Sequence, residues 1–179
     1  MKRHQLEHII RAASTIADDD EIVIVGSQSI LGAYAEAPDE LLVSEEADVY
    51  PRHYPERADL IDGSIGELSP FHETFGYYAQ GVSPSTAILP ANWEDRLLAI
   101  RTPATKGATG WCLEPHDLAL SKLVAGREKD LRFVAAMAAH GMLERSVLET
   151  RLHTLPIETS LRELLKGRIY RLRLQPLAQ

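Results

Sequence analysis

The run Val23-Ile24-Val25-Gly26-Ser27, followed after a short helical segment by Glu46-Ala47-Asp48-Val49-Tyr50, constrains this chain more than any other feature. The β-branched residues read as a buried strand that enters a Gly-Ser turn and then a helix. The second segment alternates acids with apolar residues. Alternate residues of a strand share a face, so Glu46 and Asp48 project together while Ala47 and Val49 point the other way. A glycine lets the backbone approach a ligand closely, and the N-terminus of a helix favours phosphate. Two carboxylates side by side suit a divalent cation held against that phosphate. Taken singly, Gly26-Ser27 is an ordinary turn and Glu46/Asp48 a solvated strand face. Their order makes them a candidate site.

The chain has 179 residues, a length that suits one compact domain or one domain with a helical extension. A hydrophobic share of 45% is enough for a sizeable core. The net charge of −7 argues against broad, unspecific binding to nucleic acid. Cys112 is the only cysteine and lies between Trp111 and Leu113, so it reads as a small core hydrophobe. A lone cysteine fits a reducing compartment. The sequence shows neither an apolar signal-peptide core nor a membrane-spanning stretch, and the expectation is a cytoplasmic protein without membrane contact.

Leu6, Ile9, Ile10, Ala13 and Ile16 recur at helical spacing and predict an opening helix, ended by Asp18-Asp19-Asp20 as a solvated turn. Residues 21–25 read as a strand and 28–35 as a short helix. Residues 47–50 form a second strand that Pro51 stops, and 55–61 a helix with proline in its first turn. Segments 74–80 and 85–89 predict a hairpin around Gly81-Val82-Ser83-Pro84. Further strands are expected at 97–101 and 109–113. From Pro115 onward the pattern is helical: one helix up to Gly126, then 129–139, 146–152 and 160–174. The expected organisation is an α/β core over 1–113 and a C-terminal helical region over 114–179, packed together as one unit.

A third element follows the strand pair. Lys122 lies before Gly126-Arg127-Glu128-Lys129-Asp130. A lysine can meet a triphosphate as a point charge, and an arginine can grip phosphate through its fork. The plainer reading is a solvated helix end.

Gly26-Ser27, Glu46-Ala47-Asp48, and His116-Asp117-Leu118-Ala119-Leu120-Ser121-Lys122 running into Gly126-Arg127-Glu128-Lys129-Asp130 resemble the DNA polymerase β-like nucleotidyltransferase superfamily. Within it the chain looks most like small bacterial proteins related to the AbiEii-type abortive-infection toxins. The resemblance implies an α/β (α+β) fold, a mixed twisted sheet backed by helices with a helical C-terminal part. It implies Gly26 and Ser27 at the phosphate, and Glu46 and Asp48 as catalytic, metal-binding carboxylates. It also implies Lys122 and Arg127 as basic residues near the nucleotide, with Asp130 orienting Arg127 or sitting in the site. The implied cofactor is magnesium, with manganese as the alternative ion. The implied partners are an NTP, an RNA (such as tRNA) or protein acceptor, and an antitoxin.

Two departures stand out. The first carboxylate, commonly Asp in the superfamily, is Glu46 here. The later strand that normally carries a third carboxylate aligns with Ser85-Thr86-Ala87-Ile88-Leu89, which has no acid, although Glu73 and Asp95 flank the region. Without a third acid the usual general base is missing. The rival expectation is therefore a non-catalytic nucleotide-binding or partner-binding module of the same fold. His72 is a candidate base set against a structural histidine. Trp93 is expected as a core plug rather than a base-stacking ring. Arg162, Arg168, Arg171 and Arg173 are expected on a solvated face.

Overall fold

Five strands form one mixed sheet in the order β3-β2-β1-β5-β4, in a computed structural model that describes residues 1–174. They are β1 (Glu21–Ile24), β2 (Glu46–Pro51), β3 (Tyr78–Gly81), β4 (Leu98–Ile100) and β5 (Thr109–Cys112). β1 runs antiparallel to β2 and parallel to β5, while β2 and β3 are parallel. The chain divides into two units. The first comprises Met1–Ala87 and Leu97–Leu113, the second Ile88–Arg96 and Glu114–Gln179.

In the first unit, α1 (Arg3–Ala17) buries Leu6, Ile9, Ile10 and Ala13 as the spacing predicts, while Ala17 is buried and Ile16 only half-buried. It rests on the sheet at Gly110, where an added Cβ would lie 2.3 Å from Ile10 Cδ1. α2 (Ile30–Ala33) is shorter than expected, because Ser27–Ser29 form a 3-10 turn ahead of it. Gly32 of α2 packs on Cys112, whose thiol is fully buried and pushed by that burial up to about 12. α3 (Ala58–Ile65) covers β3, and an added Cβ on Gly81 would sit 2.0 Å from the Ala58 carbonyl oxygen.

The expected hairpin does not form. Residues 70–75 are instead α4 (Pro70–Phe75), because Ser69 caps it by accepting from the His72 N–H, Pro70 starts it, and Gly76 ends it at φ 73°. Pro84–Thr86 is a 3-10 turn in which Ser83 Oγ accepts from the Ser85 N–H. β3 therefore pairs with β2, and no strand occupies 85–89.

The acidic turn also differs from expectation. Asp19 is buried, and its carboxylate accepts from the backbone N–H groups of Glu21, His53 and Tyr54 and pairs with His53 Nδ1 at 2.9 Å. Burial by itself raises the Asp19 carboxyl, but these hydrogen bonds and the His53 charge outweigh it, so the net shift is below the ordinary 3.8. His53 is raised above 6.5, chiefly by its hydrogen bond to Asp19 and then by the Asp19 charge. A raised base stabilises below its ordinary value and loses that contribution as pH climbs through the raised one. A lowered acid stabilises above its ordinary value and loses it as pH falls through the lowered one. The pair thus contributes most between pH 3.8 and 6.5. The melting-temperature gap between wild type and His53→Ala is expected to be largest in that window and to shrink by about pH 9. A gap independent of pH in thermal denaturation would contradict this.

The second unit holds α5 (Pro115–Ala125), α6 (Glu128–Ala139), α7 (Arg145–Leu152) and α8 (Thr159–Arg171). Leu118, Leu123, Val134, Met137, Leu148, Leu152, Leu165 and Ile169 are buried in it. Gly126 ends α5 at φ 66°, a left-handed cap that favours glycine. Two arginines expected on a solvated face do other work. Arg162 donates to the Leu155 and Ile157 carbonyls in the loop before α8. Arg168 donates to the Leu123 carbonyl, an oxygen in the last turn of α5 that the helix leaves open. Trp93 is half-buried rather than a core plug.

Candidate active site

β2 alternates as its sequence requires: Ala47 and Val49 are buried, Glu46 and Asp48 half-buried. The parallel register sets Glu46 opposite Tyr78, Ala47 opposite Ala79, Asp48 opposite Gln80 and Val49 opposite Gly81. Gly81 abuts α3, so the Ala47, Val49, Ala79 and Gly81 set faces the helix. Glu46, Asp48, Tyr78 and Gln80 share the opposite face.

The Gly-Ser turn reaches that face. Gly26 has an ordinary extended backbone (φ −84°, ψ −166°), so it is not left-handed geometry that requires glycine. The requirement is steric: a Cβ on Gly26 would lie 1.7 Å from Asp48 Oδ2 and 2.7 Å from its Cγ. The Asp48 carboxylate occupies the space that every other residue type would fill. Val25 N–H donates to the Asp48 carbonyl at 3.1 Å, which carries the β1–β2 pairing to the turn. Ser29 N–H and Oγ both donate to the Gly26 carbonyl, at 3.0 and 2.8 Å. Buried Gln28 donates through Nε2 to the Ser44 carbonyl at 3.1 Å, tying the turn to the chain that enters β2. Ser27 is half-buried at the start of the 3-10 turn.

Glu46 is held from the neighbouring strand. Tyr78 donates its hydroxyl to Glu46 Oε2 at 3.3 Å. Burial first, then the charges of Glu46 and Glu67, the hydrogen bond to Glu46 and the charge of Asp48 push the phenol up to about 12. It therefore stays protonated and donating at neutral pH. The His72 ring lies 4.6 Å from the Tyr78 ring, and its Nδ1 accepts from the Leu68 N–H at 3.1 Å. Tyr78, Gln80 and His72 thus join the face. Of these, the sequence singles out only His72; the alternation in Tyr78-Ala79-Gln80 is the local signal for the other two, and their partner strand is β2, not 85–89.

In the second unit, Lys122, Arg127 and Asp130 form one cluster. Lys122 Nζ lies 3.3 Å from Asp130 Oδ1, and Arg127 Nε lies 2.6 Å from Asp130 Oδ2. Burial raises the Asp130 carboxyl, but the Arg127 hydrogen bond and the charges of Lys122 and Arg127 outweigh it and hold it below its ordinary range. Lys122 also sits 4.8 Å over the Phe133 ring. Asp130 thereby orients Arg127 and receives Lys122.

Glu46 and Asp48 supply hard carboxylate oxygens on one face, the donor type that magnesium and manganese take. Asp48 already lies against the buried Gly26, and the pair of carboxylates is a donor set that fits such an ion. Elsewhere, Asp19, Asp20 and His53 bring ligand atoms within 4.8 Å of one another. Asp19 is already satisfied there by backbone and imidazole donors.

Residues 4–169 match the model of a protein family described as "Nucleotidyltransferase of unknown function (DUF6036)". No curated protein and no solved structure matches the chain. Among the described residues, no helix is long and apolar enough to cross a membrane.

Proposed function

Because the chain belongs to this nucleotidyltransferase family, we propose that it moves an NMP from an NTP to a hydroxyl on RNA, such as tRNA, or on protein. The observation that carries the proposal is the seating of the Asp48 carboxylate on the bare α-carbon of Gly26. It joins a phosphate-type turn to a metal-type carboxylate in one place. In this reading Gly26 and Ser27 approach the phosphates, and Glu46 and Asp48 hold magnesium or manganese. The resemblance also casts Lys122 and Arg127, in the second unit, as basic residues for a nucleotide, with Asp130 orienting Arg127. The bound ion would supply charge neutralisation for oxygens that gain charge. The chain's own contribution is to fix those carboxylates and align the acceptor. The acceptor oxygen forms a bond to the α-phosphorus, the bond to pyrophosphate breaks, and the hydroxyl proton leaves to solvent. Such transfer rests on positioning and electrostatics rather than covalent help. A toxin–antitoxin or phage-defence role, with an antitoxin as partner, belongs to the same proposal.

One observation favours a second reading. The residue in register with Asp48 on β3 is Gln80, an amide that cannot accept the hydroxyl proton. A nucleotide-binding or partner-binding module without catalysis would suit that arrangement. Incubation with each α-labelled NTP, magnesium or manganese, and total RNA or cell protein separates the two. Label on one acceptor class, lost with Asp48→Ala, supports transfer. Metal-dependent NTP binding without label supports the module. Neither binding nor label overturns both.

A further inference from the structure

The two carboxylates of the site are placed by different means. Asp48 has a short side chain, and its carboxylate is confined against Gly26. Glu46 has one more methylene and one more free torsion, so its carboxylate is not fixed by its backbone position alone. Its tether comes from the register: Tyr78 is its direct partner on the parallel neighbour and donates to Oε2 at 3.3 Å. The tyrosine ring is itself backed by His72, whose ring lies 4.6 Å away and whose Nδ1 is occupied by the Leu68 N–H. A hydrogen bond taken by one carboxylate oxygen restricts the rotation of the group and leaves the other oxygen to a ligand.

We infer that Tyr78 is a positioning residue for Glu46, holding Oε2 from the adjacent strand so that Oε1 is presented beside Asp48 as the second oxygen ligand of the divalent cation. This rests on the metal-site reading above. It predicts coupling, because the tether matters only while the acidic side chain is long enough to meet it.

The test is a double-mutant cycle on the full chain, with Mn2+ affinity at fixed ATP read by calorimetry. Tyr78→Phe, which keeps the ring and removes the hydroxyl, is expected to weaken Mn2+ about 10-fold, the size typical of losing a partner behind a metal ligand. ATP affinity without metal and the melting temperature are expected to stay unchanged. In a Glu46→Asp background the shorter carboxylate falls short of the hydroxyl, and Tyr78→Phe is then expected to change Mn2+ affinity less than 2-fold. Equal effects of Tyr78→Phe in the two backgrounds, or none in either, would overturn the inference while leaving the metal site standing. A wild-type protein without metal-dependent ATP binding would overturn the site and the inference together.

Discussion

Replacing Asp48 by alanine is expected to lower Mn2+-dependent NTP affinity by more than about 100-fold, beyond the usual effect of losing a partner behind a ligand. Glu46 alone leaves one carboxylate, and the turn at Gly26 loses the group it abuts. Gly26→Ala is expected to reproduce much of that loss without touching a carboxylate. Its Cβ would fall 1.7 Å from Asp48 Oδ2, so the aspartate side chain must swing away. Forced overpacking of this kind also destabilises by about 1 to 3 kcal/mol. Calorimetric titration of Mn2+ at fixed ATP, with thermal denaturation of the same samples, separates lost ligation from lost fold. Wild-type metal affinity in Asp48→Ala would remove Asp48 from the site. Wild-type affinity in Gly26→Ala would mean that Asp48 binds in another rotamer.

The largest stability loss is expected at Asp117 in the helical unit. Its side chain is 1% exposed and accepts from Arg96 Nε at 2.8 Å, Arg96 Nη2 at 3.2 Å and Arg151 Nη1 at 2.9 Å. Arg151 also bonds Glu114, which caps α5 by accepting from the His116 N–H. Burial raises the Glu114 carboxyl, but the hydrogen bonds and charges of His116 and Arg151 bring it down to about 2. Asp117→Ala leaves two guanidinium groups facing each other without their shared anion. Breaking a buried pair by removing one partner costs about 3 to 5 kcal/mol. An unfolding free energy, from chemical denaturation, lowered by less than about 1 kcal/mol would place the network among surface ion pairs of little consequence.

The elements legible in the sequence are those with a local cause. The stripe from Leu6 to Ala13 specified α1, and the β-branched run before Gly26 specified β1. Glu114-Pro115 specified the start of α5 and Gly126 its end. The shared face of Glu46 and Asp48 followed from strand alternation alone. Where reading failed, a local signal competed with a stronger one. Thr74 and Phe75 suit a strand, but Ser69-Pro70 upstream and Gly76 downstream enclose them in a capped helix. Asp19 looks like a solvated acid among three, and only the return of His53 and Tyr54 shows that it is buried and bonded.

Composition and local pattern by themselves determined that this chain has an α+β part followed by helices, with Gly26-Ser27 and Glu46/Asp48 as its candidate chemistry. These follow from side-chain period, β-branching and caps, which act within a few residues. Only the tertiary structure decided which strand lies beside β2. Sheet register depends on pairing between segments far apart in the chain, and a single choice of partner fixes every cross-strand neighbour. That choice put Tyr78 against Glu46 and Gln80 against Asp48. The antiparallel β1–β2 pairing likewise brought the Asp48 carboxylate onto Gly26 in the turn after β1, a contact that a Cβ at position 26 would block.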